Sequence, residues 1–341
     1  MQLDNFYITD LYHYAYQNNH LTSAMIELNT KCNLKCKHCY IPNHTNHGLS
    51  TQRVINLIKD LRELGVLNIS FTGGEIFLRE DIMDIVKTAR DLHMRVHLLS
   101  NITLLNEEIV KQLSELHITE VSTTIFSLDE EIHDSITQQR DSLKKALSNL
   151  ELLKKYGIKV LVKTPVMEAN KNSHGNLQEY CRKNDFFYFP SPIIFSKSDG
   201  DDTVHSLRIK SSRDLQDVTF DVDKNNRENS RPFLYKYEEP CSAIFYSLAI
   251  DANGDVFPCN SLYLKLGNIL DDNLGEIWEN SEVLLKLKGI KKEHLEKCCN
   301  CYLIDYCERC PGLALLEDED ILGCSTIAKD MALARFAKKV C

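Results

Sequence analysis

Three cysteines stand within eight residues near the start of the chain, in the run Lys31-Cys32-Asn33-Leu34-Lys35-Cys36-Lys37-His38-Cys39-Tyr40. Thiolates are soft ligands that suit zinc and iron–sulfur clusters. Three of them on one tight loop, spaced C-x3-C-x2-C, can hold three irons of a cubane and leave the fourth iron open. An open iron is a place for a substrate or cofactor, which a cluster that only carries electrons would not need. The alternative is a zinc loop with His38, His44 or His47 as fourth ligand, although C-x3-C-x2-C is not a usual zinc spacing. A second concentration follows later: Cys241, Gly254 and Cys259, then Cys298-x2-Cys301-x5-Cys307-x2-Cys310, then Cys324. C-x2-C pairs suggest a zinc ribbon, but ribbons normally separate their pairs by more than five residues, and seven thiols exceed one tetrahedral site.

The rest of the composition says which compartment these thiols meet. The chain has 341 residues, of which 43% are apolar and 26% charged, an ordinary globular balance of about two domains' length. Thirteen cysteines are an odd number, and a chain this large needs no disulfides to fold. The start, Met1-Gln-Leu-Asp-Asn-Phe-Tyr, lacks the basic-then-apolar layout of a secretory signal, and no apolar run approaches the ~20 residues of a membrane helix. A net charge of −9 argues against nucleic acid as a partner. A cytoplasmic protein with metal-ligating cysteines is expected.

Elements able to position the first loop alternate regularly. Strands are predicted at 24–28, 67–71, 95–99, 120–125, 159–166 and 186–190. Between them, Thr51–Leu64 and Ser142–Tyr156 carry apolar residues at helical spacing and close on Gly65 and Gly157. Such alternation predicts an α/β fold with a parallel sheet and helices outside it, and leaves open whether the sheet is flat or curled. Residues 197–232 are polar and turn-prone around one helix near 211–218, and the domain boundary is placed there. The resulting division is 1–196, a connection at 197–240, and 241–341 with nine of the thirteen cysteines.

Cys32, Cys36 and Cys39, with His38 before the last of them, resemble the signature of radical S-adenosylmethionine (SAM) enzymes. Phe71-Thr72-Gly73-Gly74-Glu75, at the end of the second strand, resembles the family's Gly-Gly-Glu motif, with Ile76 where proline is usual. The resemblance implies a partial (β/α)6 TIM-like barrel over residues 20–195. It implies too that Gly73, Gly74 and the Glu75 carboxylate receive the ammonium of SAM. Ser100-Asn101 resembles the polar turn near the SAM ribose, and Ser127 with Arg140 the segment that serves the SAM carboxylate.

The later cysteines resemble the SPASM domain, a small cysteine-rich iron–sulfur region carrying two further [4Fe–4S] clusters. Its last internal gap is two residues here, where the pattern often has three. Carried onto this chain, the resemblance assigns Cys241, Cys259 and Cys310 to the first auxiliary cluster, with Ser247 where some relatives have a further cysteine. Cys298, Cys301, Cys307 and Cys324 go to the second. Cys299 is out of register and reads as a spare, Cys181 as a packed core thiol, and Cys341 receives no role.

The resemblance therefore implies three [4Fe–4S] clusters and SAM, cleaved reductively to a 5′-deoxyadenosyl radical that takes hydrogen from an unactivated C–H bond. The substrate expected is a peptide or protein matured by crosslink or thioether formation. Heme-precursor modification, sulfatase maturation and a non-catalytic iron–sulfur electron carrier are the alternatives. A flavodoxin- or ferredoxin-type electron donor is implied. With 31 residues ahead of Cys32, leader recognition is expected from a separate small protein.

Overall fold

The computed structural model describes residues 8–228 and 239–340, so Cys341 lies outside the described residues. A helix α1 (Ile8–Asn18) leads into six repeats of strand and helix. They are β1 (Ser23–Glu27), α2 (Thr51–Glu63), β2 (Asn68–Thr72), α3 (Ile82–Asp91), β3 (Arg95–Leu99) and α4 (Glu107–Glu115). Then come β4 (Glu120–Thr124), α5 (Glu130–Thr137), α6 (Ser142–Lys155), β5 (Val160–Pro165), α7 (His174–Asn184), β6 (Phe187–Ser191) and α8 (Ser212–Glu228). Each of the six strands lies within a residue or two of its predicted bounds. The small shifts arise because backbone pairing, which takes in polar end residues, sets the limits rather than the apolar run.

All neighbouring pairs from β1 to β6 are parallel. Along β1 the buried residues alternate: Ala24 and Ile26 face outward, where they join Val54, Leu57, Ile58 and Leu61 of α2 in the main core. Ser23, Met25 and Glu27 face the other, concave side. The same period puts Ile69 and Phe71, Val96 and Leu98, and Val160 and Val162 into the core. Helix starts are set by side-chain caps: Ser50 for α2, Asn106 for α4 and Asp129 for α5 each accept a backbone N–H three residues on.

The second region is β7 (Ser247–Ile250), β8 (Asp255–Phe257), β9 (Gly267–Asn268), α9 (Leu274–Asn280), α10 (Glu282–Lys288), α11 (Glu296–Cys299), α12 (Pro311–Asp318) and α13 (Thr326–Val340). The predicted boundary at residue 241 does not interrupt the sheet. Strand β7 pairs in parallel with β1, from Ser23 opposite Ser247 to Ile26 opposite Ile250. The full order is β6-β5-β4-β3-β2-β1-β7-β8-β9, with β7–β9 antiparallel. The polar stretch after residue 197 marks a change in the chain, whereas the otherwise open edge of β1 needs a partner for its backbone groups.

One buried group inside this frame makes stability depend on pH. The His133 Nδ1 accepts the Phe126 N–H at 3.2 Å, and burial pushes the imidazole down from 6.5 to about 4. Between these values the folded chain binds fewer protons than the unfolded one. The contribution is therefore whole above about pH 6.5 and is lost as pH falls toward 4, up to about 3 kcal/mol. Urea unfolding of the metal-free chain across that window should show a flatter pH dependence for His133→Asn than for the native sequence.

Candidate active site

Residues 28–49 leave the C-terminal end of β1 and return to α2 without regular structure, a length that in a compact domain usually signals function. The segment is fastened at two places. Its middle docks on the end of α5, where the N–H groups of Lys35 and Lys37 donate to the carbonyls of Thr137 and Ile136, both at 3.0 Å. Its ends are gathered by Arg79, whose Nη1 donates to the carbonyls of Leu28, His47 and Leu49 at 3.0–3.1 Å. Asp81 pairs with the same guanidinium at 2.7 Å.

Within this frame the three thiols are close enough to feel one another. Burial pushes Cys32 up to about 11 and Cys36 up to about 12, and the neighbouring thiols add to both shifts. Cys39 is raised mainly by burial as well. Left alone they stay protonated. Ionisation requires a positive centre among them, and three soft donors of this kind fit an iron–sulfur cubane. His44 stands 3.6 Å from the Cys39 Sγ, while His38 packs edge-on against Phe126 at 5.0 Å. The carbonyl of His47 lies in the Arg79 fork.

Gly73, Gly74 and Glu75 lie directly behind the loop. The Gly74 N–H donates to the Asn29 carbonyl at 3.0 Å and the Glu75 N–H to the Lys31 carbonyl at 2.7 Å. A Cβ on Gly74 would sit 2.3 Å from the Lys31 oxygen and 2.4 Å from the Thr30 oxygen. The room these glycines leave is thus filled by the cysteine loop's own backbone.

The Glu75 carboxylate, expected to receive an ammonium, is instead turned into the protein. It is 0% exposed and accepts from the Phe77 N–H at 3.0 Å, the Ser100 hydroxyl at 2.8 Å and the Asn101 N–H at 2.7 Å. A wholly buried carboxylate needs such donors; burial raises its pKa, and these three work against that rise. Ser100 and Asn101 accordingly brace the loop. The Asn101 Nδ2 reaches the Asn33 Oδ1 at 2.9 Å and the Cys32 Sγ at 3.7 Å, and Asn33 bonds Thr103 at 2.8 Å. An acceptor remains at Asn29, which is 2% exposed. Its Nδ2 donates to the Glu75 carbonyl, while its Oδ1 is buried without a partner beside Gly73. That orphaned acceptor fits a cationic amine such as SAM carries.

The remaining predicted cofactor residues divide. Ser127 is buried, its hydroxyl accepting the Asp129 N–H at 3.0 Å. It lines a cavity of about 300 Å³ with Leu128, Asp129, Ile132, Asn170 and Ser173. Arg140 is not brought to that cavity: its side chain is 92% exposed, 3.9 Å from Asp141.

A group that sequence reading missed sits at the end of β1. Glu27, on the concave row, accepts the Tyr40 hydroxyl at 3.1 Å, and burial pushes its carboxyl up to about 7, with Asp251 adding to the shift. A carboxyl poised there can hold or release a proton at neutral pH. Arg79, Asn29, Asn33 and Thr103 were missed as well. Their types carry no chemical signature, and only the fold gathers them.

The later thiols form two neighbourhoods. Burial raises Cys241 and raises Cys259 to about 12; the neighbouring Cys310 adds to both shifts, and Cys241 to that of Cys259. Cys310 caps α12, and a Cβ on Gly312 would lie 2.0 Å from the Ser261 oxygen, so glycine allows the Cys259 turn to approach that helix start. Cys298, Cys301, Cys307 and Cys324 form the other neighbourhood. Burial leads the upward shift of Cys298 and that of Cys307, which reaches about 11. Ser247 is tied to the carbonyls of Ala243 and Pro258 at 2.9 and 3.1 Å. Cys299 is exposed, its Sγ 3.3 Å from the Lys292 carbonyl. Cys181 is fully buried in the main core and pushed up to about 12 by that burial.

Comparison with known proteins finds two family matches along the chain. Residues 26–173 match the radical SAM superfamily and residues 241–311 an iron-sulfur cluster-binding domain, SPASM. The sporulation killing factor maturation protein SkfB of Bacillus subtilis is 26% identical over 274 residues, covering 78% of this chain and 66% of SkfB. The chain thus spans just under two thirds of that relative. An AdoMet-dependent heme synthase of Oleidesulfovibrio alaskensis is 25% identical, with 83% of this chain and 81% of the synthase covered. Among solved structures, Streptococcus suis SuiB bound to precursor peptide SuiA superimposes with a TM-score of 0.72 at 16% identity. It covers 94% of this chain and 79% of SuiB, a likeness of fold. No helix among the described residues is long and apolar enough to cross a membrane.

Proposed function

The chain belongs to the radical SAM superfamily and carries a SPASM domain, and we propose that it matures a peptide or protein, forming a crosslink or thioether by radical chemistry. With its [4Fe–4S] clusters and SAM bound, such an enzyme supplies the electron that cleaves SAM and a radical able to take hydrogen from a C–H bond.

The chain's own residues set the stage for that chemistry. Cys32, Cys36 and Cys39 hold the first cluster on a loop fixed by Arg79, Glu75, Ser100 and Asn101. Asn29 offers the acceptor for the SAM ammonium, Gly73 and Gly74 let the cysteine loop close against it, and Ser127 is the far wall of the site. Arg140, at the surface here, would serve the SAM carboxylate only after the segment before α6 moved inward. Cys241, Cys259 and Cys310 hold one auxiliary cluster, and Cys298, Cys301, Cys307 and Cys324 the other. Glu27, on the concave side, is placed to accept a proton from a substrate.

The observation that carries this reading is the parting of the seven later thiols into a three and a four, in a region whose β7 continues the barrel sheet. The matured substrate of SkfB, as its name gives it, and the peptide seated on SuiB support a peptide substrate. A flavodoxin- or ferredoxin-type protein is the proposed electron donor.

The test is anaerobic co-expression with a short Cys- or Gly-rich peptide encoded beside this gene, read by mass spectrometry and 5′-deoxyadenosine release. Loss of two hydrogens per crosslink is expected. An unchanged peptide, together with turnover of a heme precursor, would overturn the peptide reading in favour of the heme-synthase one.

A further inference from the structure

Only Glu308 and Arg309 separate Cys307 of the four-thiol group from Cys310 of the three-thiol group, so this dipeptide is the shortest covalent path between them. The two side chains part. Glu308 lies at the surface and meets Arg335 at 3.0 Å. Arg309 turns toward the loop that carries Cys324: its Nε donates to the Gly323 carbonyl at 2.9 Å and its Nη2 to the Ile321 carbonyl. Its Nη1 is buried and has no hydrogen-bond partner. Among the described residues no ion pair engages Arg309.

Arg335, the other arginine beside the four thiols, shows what a satisfied cation looks like here. It donates to Asp223 at 2.8 and 3.0 Å, to Glu308 at 3.0 Å and to the Tyr306 carbonyl at 3.0 Å. A half-buried cation whose buried donor is idle and which has no counter-charge is unfavourable. What is missing at Arg309 is negative charge with an acceptor, and a thiolate-bound cluster offers both. The guanidinium stands beside both groups: Arg309 directly precedes Cys310 of the three, and its Nε is bonded to the carbonyl of Gly323, the residue before Cys324 of the four.

We infer that Arg309 is a positioning residue shared by the two auxiliary clusters, its Nη1–H donating to a cluster sulfur and its charge making both clusters easier to reduce. Hydrogen bonds to sulfur and net charge are two of the quantities that set cluster potentials. The inference rests on the reading that these thiols hold clusters.

The test is a potentiometric titration of the reconstituted full chain followed by electron paramagnetic resonance. In Arg309→Gln both auxiliary couples should move negative by at least tenfold in their reduction equilibrium, which is about 59 mV for one electron. The first cluster's couple should stay in place, and Arg309→Lys should lie nearer the native value. Unmoved auxiliary couples in the glutamine variant, or equal shifts in both variants, would overturn the inference.

A measurement on the native protein needs no variant to assemble. With ¹⁵N-guanidinium arginine, pulsed resonance of the reduced auxiliary clusters should show a nitrogen coupling, and its absence would rule out the donor. Native protein holding about four irons rather than about twelve would instead remove the clusters, and with them the reading beneath.

Discussion

Replacing Cys32, Cys36 and Cys39 together by alanine lowers the iron of the reconstituted protein from about twelve to about eight atoms per chain and abolishes SAM cleavage. The expectation follows from how separately the thiols are held. The first three hang on the loop after β1, fastened to α5 and to Arg79. The other seven lie on the segment before β7, the Cys259 turn, and the run from α11 to the loop before α13. Among the described residues, no support of the second set is hydrogen-bonded to a thiol of the first, so the auxiliary clusters should survive the triple replacement.

Cys301→Ala is the complementary experiment. It should impair the auxiliary region and the fold around it, because metal-binding energy is folding energy where the metal-free core is small. SAM cleavage without substrate should partly persist in that variant. Iron analysis, resonance spectra and chromatography of 5′-deoxyadenosine read all three outcomes. Undiminished SAM cleavage in the triple alanine variant, or zinc in place of iron in the later thiols, would sink the assignment.

Much of this site is legible in the amino-acid sequence, and the reason differs from residue to residue. Cysteine is rare enough, and thiolate chemistry specific enough, that spacing alone separates Cys32, Cys36 and Cys39 from the later seven. The strands are legible because burial on one face imposes a period of two, as along Ala24, Ile26 and Leu28.

Two things are beyond the reach of sequence. The pairing of β7 with β1 joins residues more than two hundred positions apart, and no local pattern announces a strand's partner. The direction of a side chain is equally hidden. Glu75 is a carboxylate suited to a cation by type, yet the donors of Ser100 and Asn101 draw it inward. Asn29, a residue of no chemical distinction, is left with the open acceptor.

Gly74→Ala should be among the most damaging single changes to activity while altering one methyl group. The added carbon would lie 2.3 Å from the Lys31 oxygen and 2.4 Å from that of Thr30, both backbone atoms that no side-chain rotation can move. The loop must retreat, and with it go the bonds from Gly74 to Asn29 and from Glu75 to Lys31, worth about 1 kcal/mol each. Stability should therefore fall by only about 2–4 kcal/mol, whereas Cys32 moves relative to the Asn29 acceptor for SAM. A displacement of about 1 Å is enough to cost a hundredfold in rate.

Gly175→Ala is the control. Nothing lies within 4 Å of its Cβ position, and the residue sits in α7, so alanine there should be neutral or stabilising by about 0.5–1 kcal/mol. Rate and iron content measured together locate the damage. A slow Gly74→Ala enzyme that has also lost its first cluster has a displaced loop, whereas one that keeps the cluster and loses only SAM affinity would place the glycine against the cofactor rather than the loop. The 2.3 Å approach to Lys31 predicts the former.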